Sequence, residues 1–171
     1  MKFIKQMSLE LENISKEKVL DCVNMIKPAK RVYIYGNGGS AGIASHVAVD
    51  FTKACKKPCL TFYDPSLVTC FSNDYGFRNY VVECIKNFVL SSDVVILISS
   101  SGLSKNILKA ANYCIKKKIN YVSFSGFSPK NPLAKMQSNF HFHVNSDNYN
   151  VVEASHLLFL LAVIEQLRED L

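Results

Sequence analysis

No apolar run in this chain approaches the roughly 20 residues that a membrane-spanning helix needs. The opening stretch Met1-Lys2-Phe3-Ile4-Lys5-Gln6 has neither a signal-peptide core nor a small-residue cleavage site. No membrane partner is expected, and the cytoplasm is the expected location. The chain also lacks repeats, low-complexity tracts and linkers. Its six cysteines, Cys22, Cys55, Cys59, Cys70, Cys84 and Cys114, include no C-x-x-C pair. Cys55 and Cys59 have Pro58 between them and no histidine close by, which argues against a zinc site and for reduced thiols among apolar neighbours. The net charge of +6 raises the question of nucleic acid. However, the lysines fall in short clusters, Lys53/Lys56/Lys57 and Lys116/Lys117/Lys118, at the tails of predicted helices, where cations complement the dipole. No basic stripe interleaved with aromatics exists, so nucleic acid is not an expected partner.

What the chain does have is apolar content, 49% of 171 residues, with 20% charged, the composition of one globular domain with a real core. We read residues 1–171 as a single domain: an N-terminal helical region over 1–28, then an α/β core over 29–171 that ends in a C-terminal helix. Ile4, Met7, Leu9, Leu11, Ile14, Val19, Leu20, Val23 and Ile26 recur near helical spacing and predict a helix over about 5–27. Strands are predicted at 31–35, 58–63, 93–98, 119–125 and 139–144, and helices at 40–55, 66–72, 77–90, 104–117 and 149–169. The strands are continuous apolar runs, as expected when helices cover both faces of a sheet. The alternation gives an α/β, three-layer doubly wound sandwich around a five-stranded parallel sheet. Ligands of such sheets sit beyond the carboxyl ends of the strands, where the winding direction switches.

Two segments have the grammar of an anion site. Val32-Tyr33-Ile34-Tyr35 runs into Gly36-Asn37-Gly38-Gly39-Ser40 and then a helix. Val94-Val95-Ile96-Leu97-Ile98 runs into Ser99-Ser100-Ser101-Gly102-Leu103-Ser104 and then another helix. Turns rich in amides and hydroxyls, each followed by the positive end of a helix, can hold a phosphate without a lysine. One helix cap needs one serine, not four. The first turn lacks G-x-G-x-x-G spacing and no acidic residue ends the second strand, so NAD is not expected.

Other residues carry possible chemistry. His46 and Asp50 stand four apart on one helix face. Glu153 and His156 interrupt an otherwise apolar helix, where a carboxylate and an imidazole need partners or a solvent-lined pocket. His141 and His143 alternate with Phe140 and Phe142, which suggests surface or edge packing. The apolar circumference of residues 151–167 must be buried in something. With the first helix it suggests a subunit interface, hence a homo-oligomer, a dimer or tetramer.

The GNGGS run, the helix with His46 and Asp50, the loop Ser72-Asn73-Asp74-Tyr75-Gly76-Phe77 and the Ser99–Ser104 turn together resemble the sugar isomerase (SIS) domain, in particular the phosphoheptose isomerases. The resemblance runs from about residue 30 to the C-terminus and implies a flavodoxin-like fold and a sugar-phosphate ligand. It implies that Ser99, Ser100, Ser101 and Ser104 hold the phosphate, with Ser40, Asn37 and Gly38 from the first turn, and that Asp74 meets sugar hydroxyls or else forms an Asx-turn. The family's metal-surrounding His and Glu map to His46 and Asp50. Its later Gln maps to Glu153, a further histidine to His156, and the catalytic histidine to Leu161, or to Leu160 after a one-residue slip. The implied metal ligands are therefore His46, Asp50 and Glu153, with a divalent ion such as zinc, and the implied acid–base groups are Asp50 or Glu153 as the base and His156 or His46 as the acid. Leucine is not a base. Three readings follow: an aldose–ketose isomerase of a sugar phosphate, a non-catalytic phosphosugar-binding module, or another reaction on a related sugar phosphate.

Overall fold

Where spacing predicts one helix over 5–27, the chain forms two, α1 (Lys2–Glu12) and α2 (Lys16–Ile26), in the computed structural model, which describes residues 2–170. Ser15 causes the break. Its backbone is extended (φ −80°, ψ 150°) and its hydroxyl accepts from the Lys18 N–H, so it caps a new helix rather than continuing the old one. Val19, Cys22, Val23 and Ile26 then turn the buried face of α2 inward.

The remaining elements alternate as expected: β1 (Val32–Tyr35), α3 (Gly39–Ala54), β2 (Cys59–Leu60), α4 (Pro65–Tyr75), α5 (Tyr80–Phe88), β3 (Val94–Ser99), α6 (Lys105–Lys117), β4 (Tyr121–Gly126), β5 (Phe140–Val144) and α7 (Tyr149–Glu169). All five strands are parallel, in the order β2-β1-β3-β4-β5. β2 is shorter than the predicted 58–63. The chain turns inward at Phe62, whose ring stacks on Tyr33 with centroids 5.4 Å apart, and Asp64 then caps α4. The winding switches between β1 and β3, and pairing of Tyr35 with Leu97 sets their carboxyl ends side by side.

Two cores flank the sheet. Val32, Ile34, Ile96, Ile98 and Phe124 join the buried faces of α2, α3 and α7. Tyr33, Tyr35, Val95, Leu97 and Tyr121 join α5 and α6. This two-sided cover explains why β1, β3 and β4 are buried at every position. By length and composition α7 could cross a membrane, which the apolar runs alone did not suggest; half of its most apolar window is buried inside the domain. It packs against α1, α2 and α3, so the chain itself supplies much of the cover that the sequence reading assigned to a second subunit. Four large apolar side chains remain exposed on α1, Phe3, Ile4, Leu9 and Leu11, and others are exposed elsewhere, among them Val49, Phe77 and Leu90.

Candidate functional site

The first turn is held from behind. The Tyr63 hydroxyl accepts from the Gly36 N–H and donates to the Gly36 carbonyl, both at 2.8 Å. A Cβ on Gly36 would stand 2.5 Å from the Ser40 Cβ, so the tight return into α3 requires glycine there. Gly38, at φ 55° and ψ −123°, adopts a backbone that side chains rarely reach. Asn37 was expected to meet the ligand, but its amide is engaged elsewhere. Its nitrogen donates to Asn106 Oδ1 (3.0 Å), and its oxygen accepts from Asn106 Nδ2 (2.9 Å) and from the Tyr35 hydroxyl (3.2 Å).

The second turn is a hydroxyl cluster. Ser99 donates to Ser104 Oγ (3.0 Å) and accepts from the Ser104 N–H (3.3 Å), while Ser101 Oγ accepts from the Leu103 N–H (3.3 Å). Ser104 is the N-cap of α6, yet its hydroxyl does not close on the helix amides as Ser15 does at α2. The positive end of α6 therefore opens beside four hydroxyls, the arrangement an anion needs. Gly102, at φ 68°, makes the turn and lies against the Asn131 side chain.

Both turns line one cavity of about 260 Å³, with Asn37, Gly38, Gly39 and Ser40 on one wall and Ile98, Ser99, Ser100, Ser101 and Ser104 on the other. Tyr149 and Glu153 of α7 complete it. Ser40 and Ser100 share a hydrogen bond across the junction (3.2 Å), and Ser100 reaches Glu153 Oε1 at a long 3.4 Å. The Glu153 carboxylate lies over the first residue of α3: a Cβ on Gly39 would stand 2.6 Å from its Cδ and 2.7 Å from Oε1. The dipole of α3 favours a negative charge in that place. The cavity thus has a hydroxyl end beneath α6 and a carboxylate end above α3.

Several expected site residues lie elsewhere. His46 and Asp50 do pair, at 3.3 Å, but on the outer face of α3 with side chains 56% and 36% exposed. They stand roughly 10 and 16 Å along the helix from Gly39, at 1.5 Å per residue. Neither reaches the cavity within one chain, and Asp50 is not positioned as its base. Among the described residues no three His, Cys, Asp or Glu side chains gather as a metal site requires. The set His46, Asp50 and Glu153 therefore does not fit a metal within one chain. Asp74 is neither in a loop nor in an Asx-turn: α4 continues to Tyr75, and Asp74 is exposed on its last turn, outside the cavity, beside Asn73 (3.0 Å).

His156 is fully buried and does not line the cavity, which corrects its acid–base candidacy. Its ring lies edge-on to Phe124 and Phe142, and Nε2 donates to the Ser125 carbonyl at 3.2 Å. Burial drives its pKa down to about 4, against the opposing pull of that hydrogen bond. On α7, Leu160 is buried and Leu161 half-buried, so neither contributes chemistry. His141 and His143 sit on edge strand β5, as their alternation suggested, but in a polar network. His141 Nδ1 lies 2.7 Å from Ser123 Oγ and its Nε2 3.0 Å from Ser125 Oγ, while His143 Nδ1 lies 3.3 Å from Ser125 Oγ. Sequence reading missed Tyr149, although it stands one turn before Glu153 on the same helix face.

A parallel sheet in the order β2-β1-β3-β4-β5, with glycine- and serine-rich turns meeting at its switch point, defines an α/β phosphosugar-binding domain. The chain belongs to the SIS domain family, whose model matches residues 2–126, from α1 through β4. Among curated relatives, phosphoheptose isomerase 2 of Campylobacter jejuni is 34% identical over 73% of this chain and 67% of its own length. The phosphoheptose isomerase of Fusobacterium nucleatum is 31% identical over 96% of this chain and 85% of its own. Among solved structures, a phosphoheptose isomerase from Neisseria gonorrhoeae superimposes with a TM-score of 0.88 at 20% identity, covering 98% of this chain and 94% of that one. Vibrio vulnificus NanR, solved in complex with ManNAc-6P, superimposes at 0.72 with 17% identity, covering 98% of this chain and 61% of that one.

Proposed function

We propose that the protein is an aldose–ketose isomerase of a phosphorylated sugar, with the phosphate on the Ser99–Ser104 turn and Glu153 as the base. The carrying observation is the two-ended cavity: Glu153 is the one carboxylate among its lining residues, separated from the opening of α6 by Ser40 and Ser100. A dianion and a carboxylate repel, so the phosphate belongs at the α6 end and the carbonyl end of the sugar at Glu153. The base would take a proton from the carbon beside the carbonyl, giving an enediol, and return it to the neighbouring carbon. The accompanying proton transfer between the two sugar oxygens would use the hydroxyls of Ser40, Ser100 or Tyr149. No oxidant or reductant is consumed. Self-association through the exposed apolar side chains of α1 belongs to the same proposal. A dimer or tetramer would cover Phe3, Ile4, Leu9 and Leu11 and could bring His46 and Asp50 to a neighbour's site.

The phosphoheptose isomerases among the relatives make sedoheptulose 7-phosphate the first substrate to try. Incubation with it and with other ketose phosphates in heavy water, with and without zinc, should place deuterium at C1 or C2, and Glu153→Gln should abolish the exchange. The burial of Leu160 and half-burial of Leu161, where the relatives' pattern calls for a base, favours a second reading, a phosphosugar-binding module without turnover. Saturable binding with no exchange on any ketose phosphate would establish that reading instead.

A further inference from the structure

We infer that Asn106, which does not line the cavity, is a positioning residue that registers the two anion-binding turns against each other through its reciprocal amide pair with Asn37. The inference rests on the proposed site but adds a residue to it. β1 and β3 are held together by their ladder only as far as Tyr35 and Leu97. Beyond that pairing each chain leaves the sheet into its own turn, and the two walls of the cavity begin. Ser40 and Ser100 join the walls on the cavity side. A second link is the amide pair, which spans 69 residues of sequence with two hydrogen bonds, 3.0 and 2.9 Å.

The pair is built for this role. Asn106 is 3% exposed and sits in the first turn of α6, where Oδ1 also accepts from the Ile107 N–H at 3.0 Å. Asn37 Oδ1 takes a further hydrogen from Tyr35. Each amide thus faces its partner in one orientation, and rotation of either would set oxygen against oxygen. An apolar contact would hold the same volume without fixing direction, whereas two antiparallel N–H···O bonds fix both separation and angle. A misplacement of about 1 Å between groups that act together can cost a hundredfold in rate. Asn106 would therefore act on ligands through Asn37, without touching them.

Titration with inorganic phosphate and with sedoheptulose 7-phosphate tests this, on the whole chain and well below its melting temperature. Asn106→Ala and Asn37→Ala should each weaken binding about tenfold, and the double variant should lose no more than either single one, because one link is broken in all three. Asn106→Ser, which retains a residue suited to a helix start and a hydroxyl for the Ile107 amide but cannot span to Asn37, should match Asn106→Ala in affinity while melting close to the parent. In the exchange assay KM should rise more than kcat falls. Affinities within twofold of the parent, or losses that multiply in the double variant, would overturn the inference. Ser99→Ala with Ser101→Ala serves as the control. If those changes leave phosphate binding intact, the site itself has failed; if they weaken it and the Asn106 variants do not, only the positioning role has failed.

Discussion

The carboxylate of Glu153 occupies the space that a side chain on Gly39 would fill. The two residues come from α7 and α3, 114 positions apart, and a methyl group on Gly39 would collide with Glu153 Cδ at 2.6 Å. The colliding atoms are the far end of a flexible side chain, so the clash is relieved by moving the carboxylate rather than the backbone.

Gly39→Ala therefore separates function from folding. Alanine is the better helix residue by up to about 1 kcal/mol, which offsets the local crowding, so the melting temperature should stay within a few degrees of the parent. Exchange of deuterium into the sugar should fall by about a hundredfold, because Glu153 is displaced from the cavity. Circular dichroism melts beside the exchange assay check both halves.

The serine turn predicts an affinity effect. Hydrogen bonds to a charged group contribute about 1.5–3 kcal/mol each. Ser99→Ala combined with Ser101→Ala should therefore weaken phosphate binding by at least about a hundredfold by calorimetry. Asp74→Asn, on the exposed end of α4, should leave it unchanged.

His46→Ala and Asp50→Asn offer the complementary measurement. Their pair faces outward on α3, with the imidazole 56% exposed, so phosphate affinity should remain within twofold of the parent. Sedimentation over a range of concentrations reads the associated question. Association should weaken when Phe3 and Leu9 on the open face of α1 are changed to serine.

Acid should destabilise the fold through its histidines. His156 and His141 have folded pKa values lowered to about 4, in both cases chiefly by burial, below the ordinary value of 6.5. The unfolded chain then binds more protons between pH 6.5 and 4, so stability is complete above pH 6.5 and falls as the pH drops through that window. For His156, which is fully buried, the loss is on the order of 3 kcal/mol. Urea midpoints at pH 7.5, 6 and 4.5 should decline in that order. His156→Leu should be less stable at pH 7.5, having lost the donor to Ser125, but should show a shallower decline.

The sheet was legible because β1 is apolar throughout and β3 is apolar up to Ile98, the pattern that cover on both faces produces. The turns were legible because glycine and serine are demanded by backbone shape and hydroxyl count. The break at Asn13 was not read, since Ser15 looks like any other polar residue until its hydroxyl is seen to meet Lys18. His46 and Asp50 were correctly placed on one face of one helix, but helical spacing does not reveal which way that face points. His156 illustrates the same gap. Three residues from Glu153 it shares the helix but turns into the sheet, where Ser125 and two phenylalanine edges take it up. Asn106 could not be singled out in the sequence, because its meaning lies in a partner 69 residues away.

The passage from β4 to β5 covers residues 127–139 without a helix, and Asn131 fastens it. The Asn131 amide nitrogen reaches Ser125, Gly126 and Ser128, its oxygen accepts from the Ala134 N–H, and the Leu133 N–H bonds to the Gly102 carbonyl. The serine turn thus leans on a strap whose own shape is set by one asparagine. Lengthening that strap, even far from any ligand atom, would slacken the grip on the phosphate.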